Sequence, residues 1–100
     1  MDYELSWFEE AVKDYKKLDG SQKIQVDKGL EKIKVKGMQA GKELHGNLKQ
    51  CREIKHKRMG IRIIFKENIE TDSIDVIDII IIDKRADNKV FKSAAKRLEE

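Results

Sequence analysis

Residues 44–66, LHGNLKQCREIKHKRMGIRIIFK, read as two short strands that turn back on each other at Arg58-Met59-Gly60. Strand alternation sorts their side chains. Cys51, Glu53, Lys55 and Lys57 share one face of the first strand, with Arg52, Ile54 and His56 on the other. On the second strand Ile61, Ile63 and Phe65 form an apolar row that must face a core, which puts Arg62, Ile64 and Lys66 on the reverse. Between residues 42 and 66 eight cations stand against two acids, Glu43 and Glu53, a balance of +6. The whole protein carries +3, so the remainder sums to −3. Positive charge is thus concentrated on this hairpin, as expected of a surface that meets a polyanion.

Upstream, Tyr3-Glu4-Leu5-Ser6-Trp7 alternates apolar and polar residues and predicts a short edge strand. Ser6 and Glu9 have the spacing of a capping box and predict a helix start. Phe8, Ala11, Val12, Tyr15 and Leu18 then form one helical face, with Glu9, Lys13, Asp14 and Lys17 on the other. Asp19-Gly20-Ser21 ends that helix and caps a second over residues 22–36, with Ile24, Val26, Leu30 and Ile33 as its buried side. Gly29 inside it costs about 1 kcal/mol of helix propensity against alanine. A close crossing of the two helices is the expected compensation. Their short connection makes them an antiparallel hairpin.

Residues 37–46 form a glycine-punctuated loop, and residues 67–72 a polar connection. Residues 73–83, with Ile74, Val76, Ile77 and four successive isoleucines from Ile79, predict a central strand covered on both faces. Asp78 within it requires a partner. Residues 89–100 predict a short, weakly held terminal helix with Val90, Ala94, Ala95 and Leu98 apolar. The sum is a single α+β domain over residues 1–100: an N-terminal strand, an antiparallel helical hairpin packed on a small, mainly antiparallel sheet, and a short C-terminal helix.

Composition excludes several classes. Charged residues are 41% of the chain, yet the apolar ones are periodic, so the chain is not of the disordered kind. A single cysteine, Cys51, rules out an internal disulfide and fits a reducing compartment. The acidic opening MDYELSWFEE is no signal peptide, and no apolar run approaches a membrane span. These features predict a soluble cytoplasmic protein with no membrane partner.

No glycine-rich phosphate loop and no cysteine or histidine pair at zinc spacing occurs, so neither metal nor cofactor is expected. His45 and His56 stand alone, and Cys51 reads as a small buried filler. What remains is the cation set. Lysines on exposed strands also serve simply as solvated faces that discourage edge pairing. The sharper reading is a surface that binds, and cleaves, RNA. RNA carries its own nucleophile, the 2′-hydroxyl beside each phosphate. A ribonuclease must take that proton, hold cations against the phosphorane and supply a proton to the leaving 5′-oxygen. Neighbouring positive charges lower a lysine's pKa, so that more of it is neutral and free to take a proton, and arginine grips phosphate bidentately.

At these residues the chain resembles the RelE-type toxins of the RelE/ParE superfamily, found in bacterial type II toxin–antitoxin systems. The resemblance spans nearly the whole chain: FEEAVKDYKKLDGS, the LHGN turn, CREIKHKRMGIRIIF, IDIIIIDKRADNKVF and the closing AAKRL. It implies a RelE/ParE-like fold and a ribosome-dependent endoribonuclease that cuts mRNA without a metal, silenced by a cognate antitoxin. Its partners would be that antitoxin, the ribosome and mRNA. By position it implies Lys55 in proton transfer, Arg62 on the scissile phosphate and Arg85 at the transition state or leaving group. Lys57, Arg58, Lys84 and Phe91 would bind substrate. Two departures stand out: Glu53 replaces a catalytic lysine of the family and becomes a modulator or base, and Phe91 replaces a tyrosine, so it can stack on a base but not donate a hydrogen bond. The rival readings are a ParE-like inhibitor of DNA gyrase and a non-catalytic basic module that binds nucleic acid. The apolar side of the terminal helix is one expected docking place for an antitoxin with an acidic binding segment.

Overall fold

The computed structural model describes residues 2–68, 76–84 and 89–99. Its elements are β1 (Glu4–Trp7), α1 (Glu9–Lys16), α2 (Gly20–Lys36), β2 (Lys42–Glu43), β3 (Cys51–His56), β4 (Ile61–Glu67), β5 (Val76–Asp83) and α3 (Lys89–Glu99). The five strands form one sheet in the order β1-β5-β4-β3-β2. The expected α+β architecture is present, and β1 pairs parallel with β5 while the other pairings are antiparallel. The two-residue β2 falls inside the stretch read as loop and covers the start of β3, with Lys42 opposite Glu53 and Glu43 opposite Arg52.

The centre of the sheet is buried on both sides. On one side α1 and α2 lay Ala11, Val26 and Ile33 against Ile63, Phe65 and Ile79. On the other, α3 lays Val90 and Ala94 against Cys51, Ile64 and Ile81. Strand β5 lies between, and every residue of it but Asp83 is buried. Each fully buried isoleucine contributes about 1.5–3 kcal/mol of transfer free energy. A register shift at Ile64/Phe65 lets the consecutive Ile80 and Ile81 both face α3. Asp78 has the partners its burial demands: Asn68 Nδ2 donates to it at 2.9 Å and Lys66 Nζ stands 3.6 Å away.

Three expectations need correction. Ser6 lies in β1, and α1 starts after Phe8, whose position carries no side-chain cap. A capping box does occur, but at α2, where the Asp19 carboxylate accepts from Gln22 N and the Gln22 side chain accepts from Asp19 N. Ile24 is exposed rather than buried. Gly29 faces the sheet and not a helix crossing: a Cβ there would stand 2.9 Å from Ile63 Cδ1, so the end of that side chain would have to shift. Of the strand expected over residues 73–83, residues 73–75, Ile74 among them, lie outside the described residues, as does residue 100 of the terminal helix.

The terminal helix is held firmly, against expectation. Strand β1 ends its pairing at Trp7 opposite Ile79, which leaves main-chain groups of β5 beyond that point without a strand neighbour. Side chains take over there: Arg97 Nη1 donates to the Ile80 carbonyl at 2.9 Å, and the Ile82 N–H donates to Asp14 Oδ2 at 3.1 Å. The same guanidinium donates to both Asp14 oxygens, at 2.7 and 3.2 Å, so α3, α1 and the sheet edge share one network.

Candidate active site

The β3–β4 ladder fixes which outer-face side chains are neighbours. Lys55 stands opposite Arg62, Glu53 opposite Ile64 and Cys51 opposite Lys66, and residues directly opposite in an antiparallel pair point to the same side. Arg62 is in turn opposite Asp83 on β5. The expectation that Glu53, Lys55 and Arg62 share a face apart from the Ile61-Ile63-Phe65 row therefore holds. His56, opposite Ile61, lies on the hairpin-helix side, where it accepts a hydrogen bond at Nδ1 from Met59 N at 3.3 Å.

That outer face is partly roofed. Arg62 is only 11% exposed in its side chain, because Phe91 from the first turn of α3 lies over it with its ring centroid 4.8 Å from the guanidinium carbon. Arg62 Nη1 reaches Glu53 Oε2 at 3.4 Å, diagonally across the ladder. Arg62 Nε is buried and has no hydrogen-bond partner among the described residues. Lys55 is exposed beside this group.

The turn joining β3 to β4 closes with a Gly60 N to His56 O hydrogen bond at 2.8 Å. Gly60 adopts a φ of 68°, a conformation other residues take at a cost. The open side of Gly60 faces the Lys84 carbonyl, 3.6 Å from where a Cβ would sit, so the exit of β5 lies against the turn. Lys57 and Arg58 belong to this turn, not to β3, and strand alternation does not fix their direction. This corrects the placing of Lys57 on the Lys55 face. Both are exposed, as is Lys84. Arg85 lies outside the described residues. Thus Arg62 touches both Glu53 and Phe91, Lys55 adjoins it across the ladder, and Lys57, Arg58 and Lys84 belong to the turn and strand exit at the same end of the sheet.

Past Phe91 a groove of about 390 Å³ opens between α3 and the turn before β3, lined by residues that include His45, Asn47, Leu48 and Lys92. A second, more apolar groove of about 460 Å³ lies over the helical hairpin, along Trp7, Val12, Tyr15 and Leu30. It holds none of the clustered cations. Among the described residues no group of three or more His, Cys, Asp or Glu side chains is placed to hold a metal ion. Cys51 is buried, and burial pushes its thiol up to about 11 despite the nearby Lys66 charge, so it is no nucleophile.

The residues that sequence reasoning missed are Asp14 and Arg97. The signal was present: Arg97 continues the Val90-Ala94 line at helical spacing, and a charge on a buried stripe demands a partner. No helix among the described residues is long and apolar enough to cross a membrane.

No family model matches the sequence, and no curated protein matches it either. Solved structures do. An arginine-to-alanine double mutant of the E. coli toxin RelE in its free state superposes with a TM-score of 0.76 at 27% identity, covering 98% of this chain and 99% of that one. The same mutant toxin in complex with a peptide of the antitoxin RelB gives 0.71 at 26% identity, over 94% of this chain and 95% of that one. The toxin–antitoxin complex RelBE2 of Mycobacterium tuberculosis gives 0.69 at 17% identity, over 85% and 100%, a likeness of fold.

Proposed function

Starting from a chain that is a RelE-type toxin, we propose that it is the toxin of a type II toxin–antitoxin pair and cleaves mRNA on the ribosome, in the cytoplasm, by attack of the 2′-hydroxyl on the adjacent phosphate. One observation carries this reading. Arg62 is built into the sheet opposite Lys55, with an aromatic ring over its guanidinium and its Nε without a hydrogen-bond partner among the described residues. A merely solvated cation needs none of this. A fixed, half-buried guanidinium beside an exposed lysine suits a phosphodiester that must be gripped while a proton leaves its neighbouring oxygen.

In this reaction Lys55 takes part in transfer of the 2′-hydroxyl proton. Arg62 holds the non-bridging oxygens as charge builds on the phosphorane. Arg85 stabilises that charge or assists the leaving 5′-oxygen. Lys57, Arg58 and Lys84 draw in flanking phosphates, and Phe91 stacks on a base. The chemistry proceeds without a metal. The relatives solved with antitoxins support a cognate antitoxin as the partner that silences this chain.

Induced expression should arrest growth, and primer extension on translated messages should reveal new 5′ ends in codon register. Arg62→Ala and Arg85→Ala should each lose both effects while keeping the wild-type circular dichroism. Inhibition of DNA gyrase supercoiling by purified, ribosome-free protein, with intact messages, would assign the chain to the gyrase inhibitors instead. A protein that binds RNA yet leaves both message and gyrase untouched would be a binding module.

A further inference from the structure

We infer that Glu53 is an internal competitor of the substrate: its carboxylate occupies, on Arg62, the place of the scissile phosphate. This rests on the nuclease reading and adds a regulatory layer to the same site. The backbone puts Glu53 there. It pairs with Ile64, one same-face step along the ladder from Lys55–Arg62, so Glu53 and Arg62 are diagonal neighbours on the covered side of the sheet. Their side chains are 13% and 11% exposed, so this is not a mobile surface pair.

The contact has the character of a placeholder. One carboxylate oxygen meets one guanidinium nitrogen at 3.4 Å, well beyond the roughly 2.7–2.9 Å of a strong charge-assisted bond. Arg62 Nε takes no part in it and has no partner among the described residues. Phe91 closes the remaining face at 4.8 Å. A carboxylate held this way neutralises the guanidinium without filling it. A phosphodiester can offer two oxygens to Nη1 and Nη2 together, where Glu53 meets only Nη1, and so displace it. By contrast Glu43, the other acid of the basic stretch, pairs with Arg52 at the far end of β3. It serves as a control for charge alone.

The test is a double-mutant cycle read by fluorescence anisotropy on a labelled RNA oligonucleotide made non-cleavable by 2′-deoxy substitution. Glu53→Gln should tighten binding by about fivefold to tenfold in the wild-type background, the scale of a charge-assisted contact regained. In the Arg62→Ala background the same change should yield no more than about the twofold that an exposed charge contributes, and Glu43→Gln likewise. Equal tightening with and without Arg62, or by Glu43→Gln, would reduce the effect to long-range charge and overturn the inference. So would weaker binding by Glu53→Gln, which would make Glu53 a substrate contact. Should the glutamine protein fail to fold, Glu53→Ala takes its place in the cycle. On translating ribosomes Glu53→Gln should lower KM and preserve kcat, whereas a collapse of kcat would make Glu53 the general base. If the wild-type protein cuts no message, the nuclease reading fails, and the anisotropy cycle still decides whether Glu53 competes for an anion at Arg62.

Discussion

Gly60 shows how one residue sets the site. Its φ of 68° lets the chain reverse within four residues and enter β4 with Arg62 on the outer face. A Cβ would meet only the Lys84 carbonyl at ordinary contact distance, so the penalty of a substitution is conformational, not steric. Gly60→Ala should therefore cost about 1 kcal/mol in urea unfolding, and Gly60→Asn less, because asparagine tolerates the left-handed region. Equal losses would point to a clash. Cys51 makes the opposite point. With its thiol raised to about 11 by burial, the folded state disfavours the thiolate. The stability this group contributes is full below the unfolded thiol's pKa and is lost as pH rises toward 11. Alkylation at pH 8 should be at least about a hundredfold slower for the native protein than for the urea-unfolded chain, and native-rate labelling would refute the inert assignment.

Helix α3 carries Phe91 to the site, and its hold on the molecule is the Asp14–Arg97 network. Burial works against the Arg97 charge. The hydrogen bonds that Arg97 donates to Asp14 and the carboxylates of Asp14, Glu10 and Asp83 outweigh it and raise the guanidinium's pKa. Removing one partner leaves the other half-buried and also orphans a main-chain group of β5. Arg97→Ala should cost about 2 kcal/mol, below the 3–5 of a fully buried pair, with loss of amide-exchange protection concentrated in residues 90–98. Uniform loss across the sheet would contradict a clamp acting on α3. Periodicity made most of this architecture legible: both central strands, the helical hairpin and the apolar line of α3 follow from spacing. It failed where a long-range contact decided the outcome. Asp14 looked like a solvated helix residue because its partners lie 68 and 83 positions away. Gly29 looked like a helix–helix contact because nothing local reveals that Ile63 approaches it. Alternation correctly put Glu53, Lys55 and Arg62 together, but it could not show that Phe91 would roof them.

Across the whole molecule, the sheet separates two surfaces of different use. The helical hairpin side carries dispersed lysines such as Lys13, Lys17 and Lys36, interleaved with acids. At one end of the sheet, by contrast, Lys55, Lys57, Arg58, Arg62 and Lys84 are drawn from β3, the turn, β4 and the exit of β5. If that end is the RNA footprint, four or five phosphates are neutralised on binding. Each contributes about 0.7 to the slope of log affinity against log salt for a single strand, so the slope should be about −3. Lys57→Ala and Arg58→Ala together should weaken binding and bring that slope toward zero by about 1.4. Lys13→Ala with Lys17→Ala removes the same charge from the opposite side, and it should leave the slope in place while lowering affinity only through net charge. Anisotropy titrations from 50 to 300 mM salt distinguish the two. Matching changes in slope from both pairs would mean that RNA feels only the total charge of +3, and that the gathering of cations around Arg62 gives the protein no preferred binding face.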